Sequence, residues 1–199
     1  QAGDPQLAAL LAQGLPVVSI GRPGGDNIDI PYVDLLSGPA TQMLLTHMLA
    51  QGAQRIALVV GASERTSYSQ AEQAYAAMAA GHGMQSVTLR LDEALGEDGG
   101  YAAARQLLTE HPELDAMLVM VDAFAVGAAR YVQEAGRRIP EDLMLATRYD
   151  GLRARSCEPP LTALDLHLET VAHQAVDLLF EHLRGDMTRR TASSPLPSL

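Results

Sequence analysis

Two aspartates stand directly after apolar runs, Asp122 after AMLVMV and Asp150 after LMLAT-Arg148-Tyr149. Two carboxylates delivered to one place could share general acid–base work. They could equally accept hydrogen bonds from ligand hydroxyls or amines, which needs no shifted pKa and is the more economical reading. Asp122 also precedes a helical stretch from Ala123, so a helix-cap role stands beside ligand contact. Asp150 is followed by a polar loop, which favours ligand contact. A third polar group, Arg65 to Tyr68, follows the apolar run RIALVVG (Arg55–Gly61).

Chemistry of other kinds lacks its residues. No G-x-G-x-x-G follows a strand, and VVGASERTS lacks the second glycine and the lysine of a phosphate loop. There is no H-E-x-x-H and no G-x-S-x-G elbow. His47, His82, His111, His167, His173 and His182 are scattered on polar faces and loops, so solvated histidine is preferred to a metal site. Cys157 is the only cysteine, which excludes an internal disulfide and a cysteine zinc cage. It lacks a general-base motif and reads as a passenger in a reducing compartment. No metal or cofactor is expected, and no catalytic residue is assigned.

The elements that must carry these groups alternate along the chain. Asp4–Gln13 reads as a short helix, Pro16–Ile20 as a strand, Gly21–Asn27 as a turn-rich loop and Pro31–Leu36 as a strand. Ser37-Gly38-Pro39 opens a helix, with serine as cap, that ends at Gly52. Arg55–Gly61 is apolar throughout, as in a strand covered on both faces. A helix over about Ser69–Ala80 turns Ala71, Ala74, Tyr75 and Met78 inward, and Ser86–Leu91 alternates like an edge strand. Helices are expected over Gly99–Glu110 and Ala123–Ala135, and strands over Ala116–Val121 and Asp142–Thr147. Leu161–Asp165 is short and extended. Leu168–Leu183 is an amphipathic helix with Val171, Ala175, Leu179 and Leu183 in register.

Such repetition predicts an α/β fold with doubly wound parallel sheet, whose ligands sit beyond the carboxyl ends of the strands. Asp122, Asp150 and Arg65–Tyr68 would then share one rim. The chain has 199 residues, 47% of them hydrophobic, enough for a substantial core, and no run long enough to span a membrane. A net charge of −10 repels phosphate backbones, and Arg184, Arg189 and Arg190 are too sparse for a nucleic-acid footprint.

The run from Val121 to Leu164, VDAFAVGAARYVQEAGRRIPEDLMLATRYDGLRARSCEPPLTAL, resembles the effector-binding domain of LacI/GalR-type transcription regulators. It carries Asp122 at a strand end, Ala125-Val126-Gly127-Ala128 on a helix, and Gly136-Arg137-Arg138-Ile139-Pro140-Glu141-Asp142. Tyr149-Asp150 and Pro159-Pro160-Leu161-Thr162 follow in the family's order. HMLAQGAQRIALVVG (residues 47–61) looks like the entry into the family's second lobe. The resemblance implies a periplasmic-binding-protein-like fold of two doubly wound lobes, the first incomplete. Residues 1–50 would be the remainder of the first lobe, 51–162 the second lobe and 163–199 the crossing back, with SSPLPSL starting the last return.

The function implied is that of a ligand-sensing core. A small effector, a sugar or related metabolite, sits between the lobes and modulates operator binding by an N-terminal helix-turn-helix that this sequence does not contain. A cytoplasmic homodimer without catalytic activity is expected. A solute-binding protein of a transport system is the alternative on the same fold, and an α/β hydrolase or nucleoside-processing enzyme using both aspartates is a third reading. The resemblance places effector contacts at Asp150, Asp122, Arg65 and Ser67, with Tyr68, Gln70 and Phe124 beside them. Four positions depart from the family pattern: Ala71 stands where an arginine usually clamps the ligand, Val121 where a polar group is usual, Arg148 for a glycine and Ala163 for a threonine. Arg148, with Arg65 or Gln70, is expected to replace the cation lost at Ala71, suiting a carboxylate, phosphate or diol. Internal pairing of Arg148 with Asp150 or Asp122 is the other possibility.

Overall fold

The run from Ile56 to Gly61 has every residue buried, and it forms the inner strand on which the larger of two sheets is built. A computed structural model describes residues 5–24 and 29–199. Its strands are β1 (Ser19–Ile20), β2 (Tyr32–Asp34), β3 (Ile56–Gly61), β4 (Val87–Leu91), β5 (Ala116–Val119), β6 (Met144–Thr147) and β7 (Thr191–Ser193). The helices are α1 (Pro5–Ala12), α2 (Ser37–Ala50), α3 (Thr66–Gly81), α4 (Gly96–Glu110), α5 (Asp122–Glu134), α6 (Leu152–Ser156) and α7 (Leu168–Leu183). Asp4 of the expected first helix and residues 25–27 of the expected Gly21–Asn27 loop lie outside the described residues.

The larger sheet has the order β4-β3-β5-β6, all parallel, with Ala57 opposite Val87, Ile56 opposite Ala116 and Ala116 opposite Met144. Successive side chains on a strand point to opposite faces, and both faces are covered. Ala57, Val59, Met117, Val119 and Leu145 pack under α4 and α5. Ile56, Leu58, Val60, Ala116, Leu118 and Ala146 pack under α2 and α3. The edge strand β4 alternates half-buried and exposed, as its sequence pattern requires. The smaller sheet, β1-β2-β7, is also parallel and packs against α7.

Three expectations are corrected. The helix read as part of residues 1–50 of the first lobe, α2, packs on the larger sheet through Ala40, Leu44, Leu45 and Met48. An amphipathic stripe reports that a face is buried, not which sheet buries it. Ser37 does not cap α2. Leu36 precedes the helix in the left-handed conformation (φ 50°), Ser37 is its first residue, and Asp34 Oδ1 accepts from the Leu36 N–H at 3.0 Å. On α7 the buried pair is Val171 and Leu178, whereas Leu183 is 56% exposed.

The sheets are joined by crossing segments that bond one another. The Ser194 N–H donates to the Asp34 carbonyl at 2.8 Å, and Asp165 and Ser198 exchange backbone bonds of 2.8 and 3.2 Å. Leu161–Asp165, expected to be extended, forms no named strand. Thr162 makes a parallel bridge to Ala146, and Asp165 an antiparallel bridge to Ser198.

Candidate functional site

The carboxyl ends of β3, β5 and β6 deliver the polar groups named above, but into two separate clusters. The first forms around Arg148, directly after β6. Its guanidinium is largely buried, and its Nη2 donates to Ser37 Oγ at 3.0 Å. Its Nε is enclosed without a partner. Burial pushes the Arg148 pKa down, and nearby Tyr68 and Asp34 oppose the shift. Internal pairing with Asp150 or Asp122 is not what the structure shows. Asp34 is itself engaged, its Oδ2 receiving Arg22 Nη2 at 3.2 Å.

Tyr68 is buried in the first turn of α3, and burial, reinforced by the Glu93 carboxylate beside it, pushes its phenol up. Glu93 in turn accepts from Ser63 Oγ at 2.7 Å. Arg65 is 68% exposed, lying 6.0 Å from the Tyr68 ring centroid and 3.9 Å from Glu93 Oε1. Ser67 is half-buried in the same turn. Gln70 lines a cavity of about 420 Å³ together with Asp34, Leu36, Ser37, Gln42 and Gln73.

The second cluster is held by α6. Arg155 grips Asp150 with two parallel bonds, Nε to Oδ1 at 2.9 Å and Nη2 to Oδ2 at 2.7 Å. These bonds hold the Asp150 carboxyl below its ordinary range. Asp122 Oδ2 lies 3.4 Å from Arg153 Nη1, while its Oδ1 accepts from the Ala123 N–H at 2.7 Å. Asp122 is thus not the cap of α5 but its first residue: Val121 precedes the helix without a side-chain cap bond, and of the backbone the Asp122 carboxylate accepts only from the next N–H. Phe124, expected at the rim, is instead fully buried in the α4–α5 core, because it faces inward from the first turn of α5.

Sequence reading passed over Ser37, Asp34, Arg153 and Arg155. The first two were accessible by the rule applied to the other strands, since β2 also ends at the rim. The arginines lie on a five-residue helix too short to show periodicity. A cavity of about 460 Å³ lined by Leu49, Arg55, His82 and Glu113 lies at the amino ends of the strands, away from these groups. Among the described residues no cluster of three His, Cys, Asp or Glu could hold a metal ion, and no helix is long and apolar enough to cross a membrane.

Two parallel sheets joined by bonded crossings, with polar groups at the strand ends between them, define a ligand-binding α/β fold of the periplasmic-binding-protein class. The chain belongs to the family described as periplasmic binding protein-like domain, matched over residues 45–199, and is an effector-binding domain of the LacI type. It is 30% identical over 194 residues to the HTH-type transcriptional regulator CelR of Thermobifida fusca, covering 93% of this chain and 55% of that protein. The structure of a transcriptional regulator CelR–cellobiose complex superposes with a TM-score of 0.86 at 26% identity, over 98% of this chain and 61% of that one. A LacI family transcriptional regulator from Mycobacterium smegmatis gives a TM-score of 0.83 at 25% identity, over 98% of this chain and 72% of that one. The chain spans about half the length of the curated relatives it matches.

Proposed function

We propose that this chain is the ligand-sensing core of a LacI-type transcriptional regulator, taking a small effector, a sugar or related metabolite, in the space between its two sheets. The observation that carries the reading is the cavity beside Ser37 and Gln70, at the strand ends where such folds take ligands. The cellobiose named for the CelR complex supports a sugar or sugar-like ligand. Asp150, Asp122, Arg65, Ser67, Tyr68, Gln70 and Arg148 form the proposed rim.

Binding favours one relative orientation of the sheets, and a cytoplasmic homodimer passes that preference to operator-binding heads. With a net charge of −10, this core leaves phosphate contacts to those heads. It acts by binding and release, and Asp150 and Asp122 are each tied to an arginine of α6. A thermal-shift screen of sugars, sugar acids, sugar phosphates and nucleosides tests the reading. At least one compound raises the melting temperature, and Gln70→Ala reduces that rise. A flat response to the whole panel overturns it.

A further inference from the structure

The observation that asks for an explanation is Arg148. A guanidinium offers five N–H donors, and a buried one is costly unless a carboxylate or a full set of acceptors compensates it. Among the described residues no carboxylate lies within salt-bridge distance of Arg148, and its one hydrogen bond is to the neutral Ser37 hydroxyl. Its Nε is enclosed with no acceptor at all. Every other arginine near the rim has a carboxylate: Arg22 has Asp34, Arg65 has Glu93, Arg153 has Asp122 and Arg155 has Asp150. Arg148 alone stands without its own counter-charge.

The surroundings point the same way. Ser37, to which Arg148 is bonded, forms part of the wall of the 420 Å³ cavity. The one carboxylate in that wall, Asp34, is occupied by Arg22 and by the Leu36 N–H. Asp150 and Asp122 are each already paired with an arginine of α6. In a protein of net charge −10, Arg148 thus has no carboxylate in direct contact among the described residues, only the more distant Asp34.

We infer, building on the effector-site reading above, that the effector carries a carboxylate or phosphate, and that Arg148 is the residue that selects for it. Arg148 lies behind Ser37 in the cavity wall; the ligand's anionic group takes the place of the Ser37 hydroxyl on the guanidinium Nη2, while its hydroxyls face Gln70 and Gln73. Phosphate and carboxylate each offer a pair of acceptor oxygens that the planar fork of a guanidinium can bond together.

The test is calorimetric titration of the protein with matched probes: glucose and cellobiose as neutral sugars, gluconate and glucuronate as carboxylates, glucose 6-phosphate and inorganic phosphate as phosphates. Acidic probes bind at least tenfold more tightly than neutral ones, and which acid wins separates the two anion classes. Arg148→Gln weakens acidic binding roughly ten- to hundredfold, the range of a charge-assisted hydrogen bond. Arg148→Lys, which keeps the charge without the fork, loses less, and circular dichroism checks that both variants fold. Neutral sugars binding as tightly as acids in the wild-type protein overturn this inference and leave the effector-site reading intact, whatever the variants do. Binding of none of the probes overturns both.

Discussion

Arg155, five residues further along in the short helix α6, holds both carboxylate oxygens of Asp150, at 2.9 and 2.7 Å. A family resemblance puts Asp150 at the ligand, whereas the structure shows it already occupied. The arginine takes one lone-pair site on each oxygen, so a ligand meets a carboxylate with only the remainder of its acceptor capacity. Arg155→Ala frees it, and neutral, hydroxyl-rich sugars gain affinity by about tenfold, the worth of one hydrogen bond to a charged group. Stability hardly changes, because the pair is exposed to solvent. Calorimetry with cellobiose before and after the substitution decides it, and equal affinities would mean that Asp150 does not face the ligand.

Gly127 sits where α5 crosses α4, and a Cβ there would run into the backbone carbonyl of Glu97. Gly100 on the opposing helix meets the backbone of Phe124 in the same way. Backbone cannot swing aside as a side chain can, so the helices must separate. Gly127→Ala is expected to cost about 3 kcal/mol or more, at the upper end of overpacking. Urea denaturation measures this, and a loss below about 1 kcal/mol would show that the helices part easily.

Tyr75 ties two strands with one hydroxyl. It donates to the Ile56 carbonyl at 2.6 Å and accepts from the Val87 N–H at 2.9 Å. Tyr75→Phe keeps the ring and strips both partners, leaving one buried acceptor and one strand-end donor unpaired. The expected loss is about 1–3 kcal/mol. Hydrogen exchange at the Val87 amide should accelerate at the same time, and unchanged exchange there would contradict the bridge.

Asp142 has its pKa lowered from 3.8 to about 2, first by side-chain hydrogen bonds from Arg138 and then by the Arg138 backbone N–H, at 2.9 Å each. Its folded pKa lies below the unfolded one. The stabilisation is therefore complete above about pH 3.8 and is lost as pH falls through about 2. A carboxyl-carbon NMR titration of Asp142 should show a midpoint near 2, moving back toward 3.8 in Arg138→Ala. A wild-type midpoint near 3.8 refutes the arrangement.

Much of the larger sheet could be read from composition alone. An uninterrupted apolar run such as Ile56–Gly61 has one stable home, between two helical layers, and the alternation of Val87–Leu91 has one as well, at an edge. Periodicity could not say which sheet α2 covers, since Ala40, Leu44 and Met48 would make the same stripe against either. On α7 it chose Leu179 and Leu183 over Leu178, adjacent rows that a sequence cannot rank without knowing how the helix lies. The apolar runs located Asp122 just past β5 and Arg148 and Asp150 just past β6, which is where the structure has them. Partner choice is a matter of distances between loops, so the internal partners expected for Arg148 are the nearby carboxylates Asp150 and Asp122, whereas its contact, Ser37, lies 111 residues away.

The crossings between the sheets are laced to each other, Asp34 to Ser194 and Asp165 to Ser198. Three independent tethers would let the halves slide, twist or gape in any direction. Laced side by side, the segments resist sliding past one another, which leaves bending about the line they share as the least hindered relative motion of the two sheets.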